Sequence, residues 1–401
     1  MTLSNKKANR GDHIDRISDL PCNVIDGILK HLTIHELVCT SLLSRKWRYV
    51  WNTVSQLVFC EDFFSRFEDL DDPGPEINRT ITDVLFQHNG PIYKFTLDIP
   101  LESNFLISTE YLNKWILFLS RRGIKKLLLF NYGTLSDKVP SNVFSCQELT
   151  HFWFCGFNLS VHPNFCGLKS LLVLYLLNNT YEFGAIETLL SGCPLLKELT
   201  IEILQDIKSI CLEKAKNLIE LRLMVNHERV SGLIKSLPKI QRLTLESYVS
   251  GDKTFYADII SPSQLISLKY MKLEGVNLAE RGELLYIVRV LKSASNLVEL
   301  VIQSYSDNCE QEPYQLEELG CNSCCFSQLQ TVNINVGSDN FKHAMSLMRF
   351  ILANSSSLKT LAFKVHFGDK LDPVALLSIS RDLLLMERAS QRARIEFTHR
   401  E

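Results

Sequence analysis

Apolar residues recur along most of this chain in one short pattern: an aliphatic residue, two variable residues, an apolar residue, one variable residue and another apolar residue. It occurs as Leu171-Leu174-Leu176, Leu196-Leu199-Ile201, Leu218-Leu221-Leu223, Ile240-Leu243-Leu245, Leu268-Met271-Leu273, Leu297-Leu300-Ile302 and Leu358-Leu361-Phe363. Looser copies begin at Val54, Ile92, Ile124, Leu149 and Leu329. The alternation at the end of each copy sets every second side chain on one face of a short strand. Copies start about 22 to 25 residues apart from Ile124 to Ile240 and about 28 to 38 apart on either side, a period that builds solenoids. No single copy has a core. Stacking neighbours makes one, at roughly 1.5–3 kcal/mol per fully buried aliphatic side chain. Between strands, helical spacing predicts returns over Leu112 to Arg121, Phe183 to Leu190, Glu280 to Leu291 and Phe341 to Leu352.

Ahead of the repeats the period changes. From Ile17 to Trp51, Pro21 suits a first helical turn, and Ile25, Ile28, Leu29 and Leu32 share one helix face. Thr33 and Glu36 form a T-x-x-E capping box for a second helix. Ser44 is placed to cap a third, with Trp47, Val50 and Trp51 on one face and Arg45, Lys46 and Arg48 on the other. Three helices in about 35 residues bury too little apolar surface to stand alone, so this unit is expected to need a partner.

Several of these residues carry a family likeness. Asp19-Leu20-Pro21, Val24-Ile25, Ile28-Leu29, Thr40-Ser41, Leu43-Ser44, Lys46-Trp47-Arg48 and Trp51 resemble a plant-type F-box. The run SGCPLLKELTI at Ser191 to Ile201 resembles the repeat of plant F-box proteins with leucine-rich repeats. The tract from Cys325 through Phe350-Ile351-Leu352, Asn354-Ser355, Leu358-Lys359 and Leu361 to Arg394-Ile395-Glu396-Phe397 resembles the FBD module at the C-terminus of many such proteins. The implied fold class is α/β, with a three-helix F-box joined to a leucine-rich-repeat solenoid whose curved parallel sheet has helical returns. The expected division is a disordered start over 1–12, the F-box over 13–55, the solenoid over 56–320 and an FBD-like module continuing it over 321–401.

The resemblance implies docking to a Skp-type adaptor, and through it to a cullin-based ubiquitin ligase, with substrate recruited by the repeats. A helix-in-groove contact then points to Leu20, Pro21, Ile25, Ile28 and Leu29 for the adaptor face, with Trp47 and Trp51 packing the bundle and its junction. Two other readings stay open: a repeat scaffold with no ligase connection, and a receptor holding a small molecule on the concave face.

Composition narrows the partners. The 401 residues carry 43 basic and 45 acidic side chains, a formal net charge of −2, which gives no general attraction to nucleic acid or anionic membrane. The polar start MTLSNKKANRGDHID has no apolar h-region, and the apolar run Leu171 to Leu177 is far short of a membrane span. Twelve cysteines scattered through apolar segments read as free thiols in a reducing compartment, so the nucleus or cytoplasm is expected.

No phosphate loop, dinucleotide turn, HExxH helix or nucleophile elbow occurs, and neither an enzyme activity nor a cofactor is expected. Cys321, Cys324 and Cys325 have C-x-x-C spacing without the second ligand pair that zinc requires. His31 and His35 straddle a helix start and read as surface histidines; Arg121, Arg122, Lys125 and Lys126 form a basic turn that reads as solvated. No metal is expected. For substrate, the variable strand positions offer aromatic anchors and charges on one face: Trp153, Tyr175, Glu198, Glu202, Glu220, Arg222, Arg242 and Glu246, with Met224, Tyr270, Lys272, Glu299 and Gln303 beside them. Glu198, Glu202, Glu220 and Glu246 make the middle of that set acidic, favouring a partner with basic character.

Overall fold

A computed structural model describes residues 17, 20–101, 107–132, 138–162, 164–203, 210–225, 234–236, 239–247, 265–304, 326–337, 341–366 and 373–400. Each of the twelve sequence copies becomes a strand that starts two residues after its first apolar position. They are β1 Gln56–Phe59, β2 Lys94–Ile99, β3 Lys126–Asn131, β4 His151–Cys155, β5 Val173–Leu177, β6 Glu198–Ile203 and β7 Glu220–Val225. The rest are β8 Arg242–Ser247, β9 Tyr270–Glu274, β10 Glu299–Ser304, β11 Thr331–Gly337 and β12 Thr360–His366, and a further strand, β13 Arg394–Arg400, completes the series. Among the described residues these strands form one sheet in chain order, every pair parallel.

Parallel neighbours need a crossover, and the crossovers carry the helices. The predicted returns are observed as α5 Thr109–Ser120, α6 Ala185–Ser191, α7 Arg281–Ser293 and α8 Phe341–Asn354. Earlier in the chain lie α1 Cys22–Leu29, α2 Ile34–Cys39, α3 Glu61–Phe64 and α4 Pro73–Gln87, and α9 Pro373–Leu384 precedes β13. The side of the sheet facing the helices is a continuous core: Leu57, Phe95, Leu127, Phe152, Leu174, Leu199, Leu221, Leu243, Met271, Leu300, Val332 and Leu361 are all buried. In β7, β8 and β9 the alternate residues point the other way, toward an open face.

Buried polar groups close the turns. After β4, the Asn179 side chain accepts the Phe157 N–H at 3.0 Å and donates to the Phe154 carbonyl at 2.8 Å, so a buried amide satisfies two main-chain groups that the loop leaves unpaired. The Cys146, Cys155 and Cys193 thiols are free, and burial pushes each up to about 12. They act as small apolar side chains, with negligible thiolate at neutral pH.

The N-terminal helices differ from expectation in one place. The capping box is formed, with Thr33 N–H on Glu36 Oε2 at 2.8 Å and Glu36 N–H on Thr33 Oγ1 at 3.3 Å. The third helix is 3₁₀ rather than α, running Trp47–Thr53, and Ser44 does not cap it with its side chain. That tighter turn still buries Trp47 and Trp51 in the same core as the repeats.

This last helix is stitched to the first repeat. Asn89 N–H reaches the Asn52 carbonyl at 2.8 Å, Tyr93 N–H the Ser55 carbonyl at 2.8 Å, and the buried His88 ring nitrogen Nε2 lies 2.7 Å from the Val54 carbonyl. Burial lowers the His88 pKa from its ordinary 6.5, the Val54 bond opposing it. A proton is therefore bound more readily by the unfolded chain, so stability holds above about pH 6.5 and declines as pH falls below it toward the folded value. Urea midpoints at pH 7.5 and 5.5 are expected to show that decline, and His88→Gln, whose amide retains a donor for Val54, to flatten it.

Candidate protein-interaction surfaces

Two surfaces present side chains that the core does not use. The first lies on the N-terminal bundle. Here α1 turns Leu29 inward, 1 % exposed, into the core with Ile34, Leu37 and Trp47. Leu29 therefore holds the bundle together and offers no contact surface, which corrects its expected place on the adaptor face. Pro21 and Ile28 are exposed, while Leu20 and Ile25 are half-buried. The same N-terminal segment carries further exposed apolar residues: Leu42 at 84 %, Leu43 at 70 % and Tyr49 at 65 %, with Val24 and Val38. Leu42 and Leu43 sit where α2 gives way to a 3₁₀ turn, Thr40–Leu42, so two adjacent leucines leave the helical pattern that would have buried one of them. Of the two histidines, His31 is exposed in the turn after α1 and His35 Nε2 lies 3.3 Å from Cys39 Sγ.

The second surface is the open face of the sheet. Strand register places Leu128, Trp153, Tyr175, Thr200, Arg222 and Thr244 in one row across β3 to β8. Adjacent strands are about 4.8 Å apart, so the two predicted aromatic residues become neighbours. Trp153 and Tyr175 have ring centroids 4.6 Å apart with planes 32° apart. Phe130 stands edge-on to Trp153 at 6.4 Å and stacks with Tyr132 at 6.2 Å and 4°. Leu128 and Leu177 share the half-buried patch. Phe130 and Tyr132 were missed because their nearness to Trp153 depends on register between strands about 25 residues apart in sequence.

The charged half behaves differently from expectation. Arg222 reaches Glu246 at 2.5 Å and Glu274 at 3.6 Å, Arg242 bonds Glu220 at 3.1 Å, and Lys272 pairs with Glu274. Arg242 also lies 4.0 Å from the Tyr270 ring centroid. Glu220, Glu246 and Glu274 of β7 to β9 are thus paired with cations within the face, each pair worth about 1 kcal/mol or less at this exposure. Glu202 accepts the Asn178 N–H at 2.7 Å, and Glu198 is exposed on β6. In the basic turn, Arg122 lies over Phe118 and Lys125 over Tyr93, at 4.8 and 4.9 Å from the ring centroids. The cysteine cluster at Cys321, Cys324 and Cys325, and the acid-rich stretch Ser306 to Ser323, lie outside the described residues.

Comparison with known proteins gives these surfaces a family. A model of the F-box domain matches residues 17–58, and one described as FBD-associated F-box protein At5g56370, LRR repeats, matches residues 112–301. The F-box/FBD/LRR-repeat protein At1g13570 of Arabidopsis thaliana is 30 % identical, over 96 % of this chain and 99 % of its own length. The chain belongs to the F-box/FBD/LRR-repeat family. Within Arabidopsis thaliana, F-box/LRR-repeat protein At3g26922 is 26 % identical over 74 % of this chain and 84 % of its own. F-box/LRR-repeat protein 13 is 26 % identical over 60 % of this chain, which spans about half (54 %) of that protein's length. As an F-box protein with leucine-rich repeats, this family member is built for protein–protein interaction.

Proposed function

We propose that this F-box/FBD/LRR-repeat protein is the substrate-recognition subunit of an SCF-type ubiquitin ligase, acting in the nucleus or cytoplasm. The observation that carries the reading is the exposure of Pro21, Ile28, Leu42, Leu43 and Tyr49, apolar residues left outside a bundle whose interior is already filled. Exposed apolar side chains on a folded unit point to a contact site, and the F-box match supports a Skp-type adaptor as the occupant. We assign the F-box to residues 13–55, the substrate-binding repeats to 56–320 and an FBD-like module to 321–401.

The chain itself performs no bond chemistry in this scheme. One end holds the ligase and the other the substrate, which raises the effective concentration of substrate lysines near the charged ubiquitin carrier. The hydrogen bonds from His88 and Asn89 back to Val54 and Asn52 matter to that task, because a stiff junction keeps the distance between the two ends fixed. Mixed at micromolar concentration with a purified Skp-type adaptor, the chain is expected to co-elute with it as one complex on gel filtration. Two separate peaks would overturn the ligase assignment.

A further inference from the structure

Resting on the substrate-binding role given to the open face, a narrower inference concerns what that face selects. Three rows of side chains cross β2 to β5 at two-residue intervals. The first is basic, Lys94 beside Lys126. The second runs from Thr96 and Leu128 on β2 and β3 to the aromatic pair Trp153 and Tyr175 on β4 and β5. In the third, Asp98 lies beside Phe130. Lys94, Lys126 and Asp98 have no ion-pair partner among the described residues, unlike the charges of β7 to β9. Covering the latter would require breaking or desolvating internal pairs for little return, whereas the aromatic patch loses only water.

The polarity is ordered along β2 and β3: Lys94 with Lys126, then Leu128, then Asp98 with Phe130. Successive rows are two residues apart, about 6.6 Å, and an extended peptide presents its surface-facing side chains at the same interval. We propose that this part of the face binds an extended segment of the substrate protein bearing, at every second residue, an acidic side chain, an aromatic or branched aliphatic side chain and a basic side chain. The acidic group meets Lys94 and Lys126, and the apolar group lies over Leu128 and reaches sideways to Trp153 on the next strand, against which Tyr175 packs. The basic group meets the Asp98 carboxylate with the ring of Phe130 beside it, where carboxylate and π-face attract a cation together. Burial, and after it the charge of Glu61, already raises the pKa of Asp98, so a cation at that point relieves an unfavourable carboxylate.

The inference is tested by selecting a random peptide library against the full chain and titrating labelled synthetic versions of the enriched peptides. Expected is enrichment of the acidic-x-apolar-x-basic order, read in one consistent chain direction. Trp153→Ala combined with Tyr175→Ala should weaken binding at least about tenfold, in the range of hot-spot truncations, with a cooperative thermal transition retained and adaptor co-elution unchanged. Asp98→Lys should reverse the preference at the third position to acidic. Enrichment of peptides lacking this order, or binding indifferent to both variants, would overturn the inference. The ligase reading fails separately: a chain that selects such peptides yet does not co-elute with the adaptor refutes that reading alone, and one that co-elutes but selects no such peptide refutes this one alone.

Discussion

Gly156→Ala is expected to cost about 3 kcal/mol or more and to lower the thermal midpoint by several degrees. Gly156 follows β4 with φ at +82°, and a Cβ built on it would fall 1.6 Å from the Asn131 carbonyl oxygen. Two penalties combine: an L-residue in the left-handed region costs roughly 1–2 kcal/mol, and overpacking against backbone adds about 1–3 more. Because the obstructing atom is main chain at the end of β3, relief requires moving one repeat against the next, and a stacked array transmits that movement. Two glycines separate the contributions. Gly184 has φ at +74° but nothing within 4 Å of its Cβ position, so Gly184→Ala should show the conformational penalty alone. Gly337 has neither a left-handed φ nor a close neighbour, so Gly337→Ala should be nearly neutral. Chemical denaturation of the three variants checks the order; equal losses at Gly156 and Gly184 would show that the turn after β4 has room the structure does not give it.

The repeats were readable in the sequence for a reason visible at single positions. In Leu218-Leu221-Leu223, the last two leucines must face the core on alternate residues of β7, and that demand recurs at each turn with little tolerance for a polar substitute. Helix α4 carried a comparable signal, Ile77, Ile81, Val84 and Leu85 at helical spacing behind Pro73, all buried, yet it falls in the longest interval between copies, where no period prompted a search. The open face was legible as a set of positions and not as a surface. Trp153 and Tyr175 are 22 residues apart in sequence, and whether they touch depends on the length of each return and the stagger of each strand. The same holds for Arg222 and Glu246, whose pairing across neighbouring strands offsets part of the acidic character their composition implied. On α1, Ile28 and Leu29 are both plausible contacts by composition. Which of them faces outward depends on how the helix is rotated against Ile34 and Trp47, a tertiary fact that spacing alone leaves open.

The second large effect is expected from the replacement of Leu42 and Leu43 together by aspartate. In the free chain both side chains stand in water, so the change should alter stability by no more than about 0.5 kcal/mol per site. Against an adaptor the situation reverses, because a carboxylate with no cation opposite it must be stripped of water as the apolar surfaces close, at a cost of several kcal/mol. Adaptor affinity is expected to fall at least about a hundredfold, corresponding to roughly 2.8 kcal/mol, with the melting transition where it was. Leu29→Ala should behave in the opposite sense. Truncating a buried leucine destabilises by about 2–5 kcal/mol, and any loss of adaptor binding should track the unfolded fraction and recover on cooling. Calorimetric titration of each variant with the adaptor, paired with its thermal melt, separates the two roles: full affinity in the Leu42→Asp, Leu43→Asp chain would move the docking surface elsewhere on the bundle, and lost affinity in a fully folded Leu29→Ala chain would return Leu29 to it.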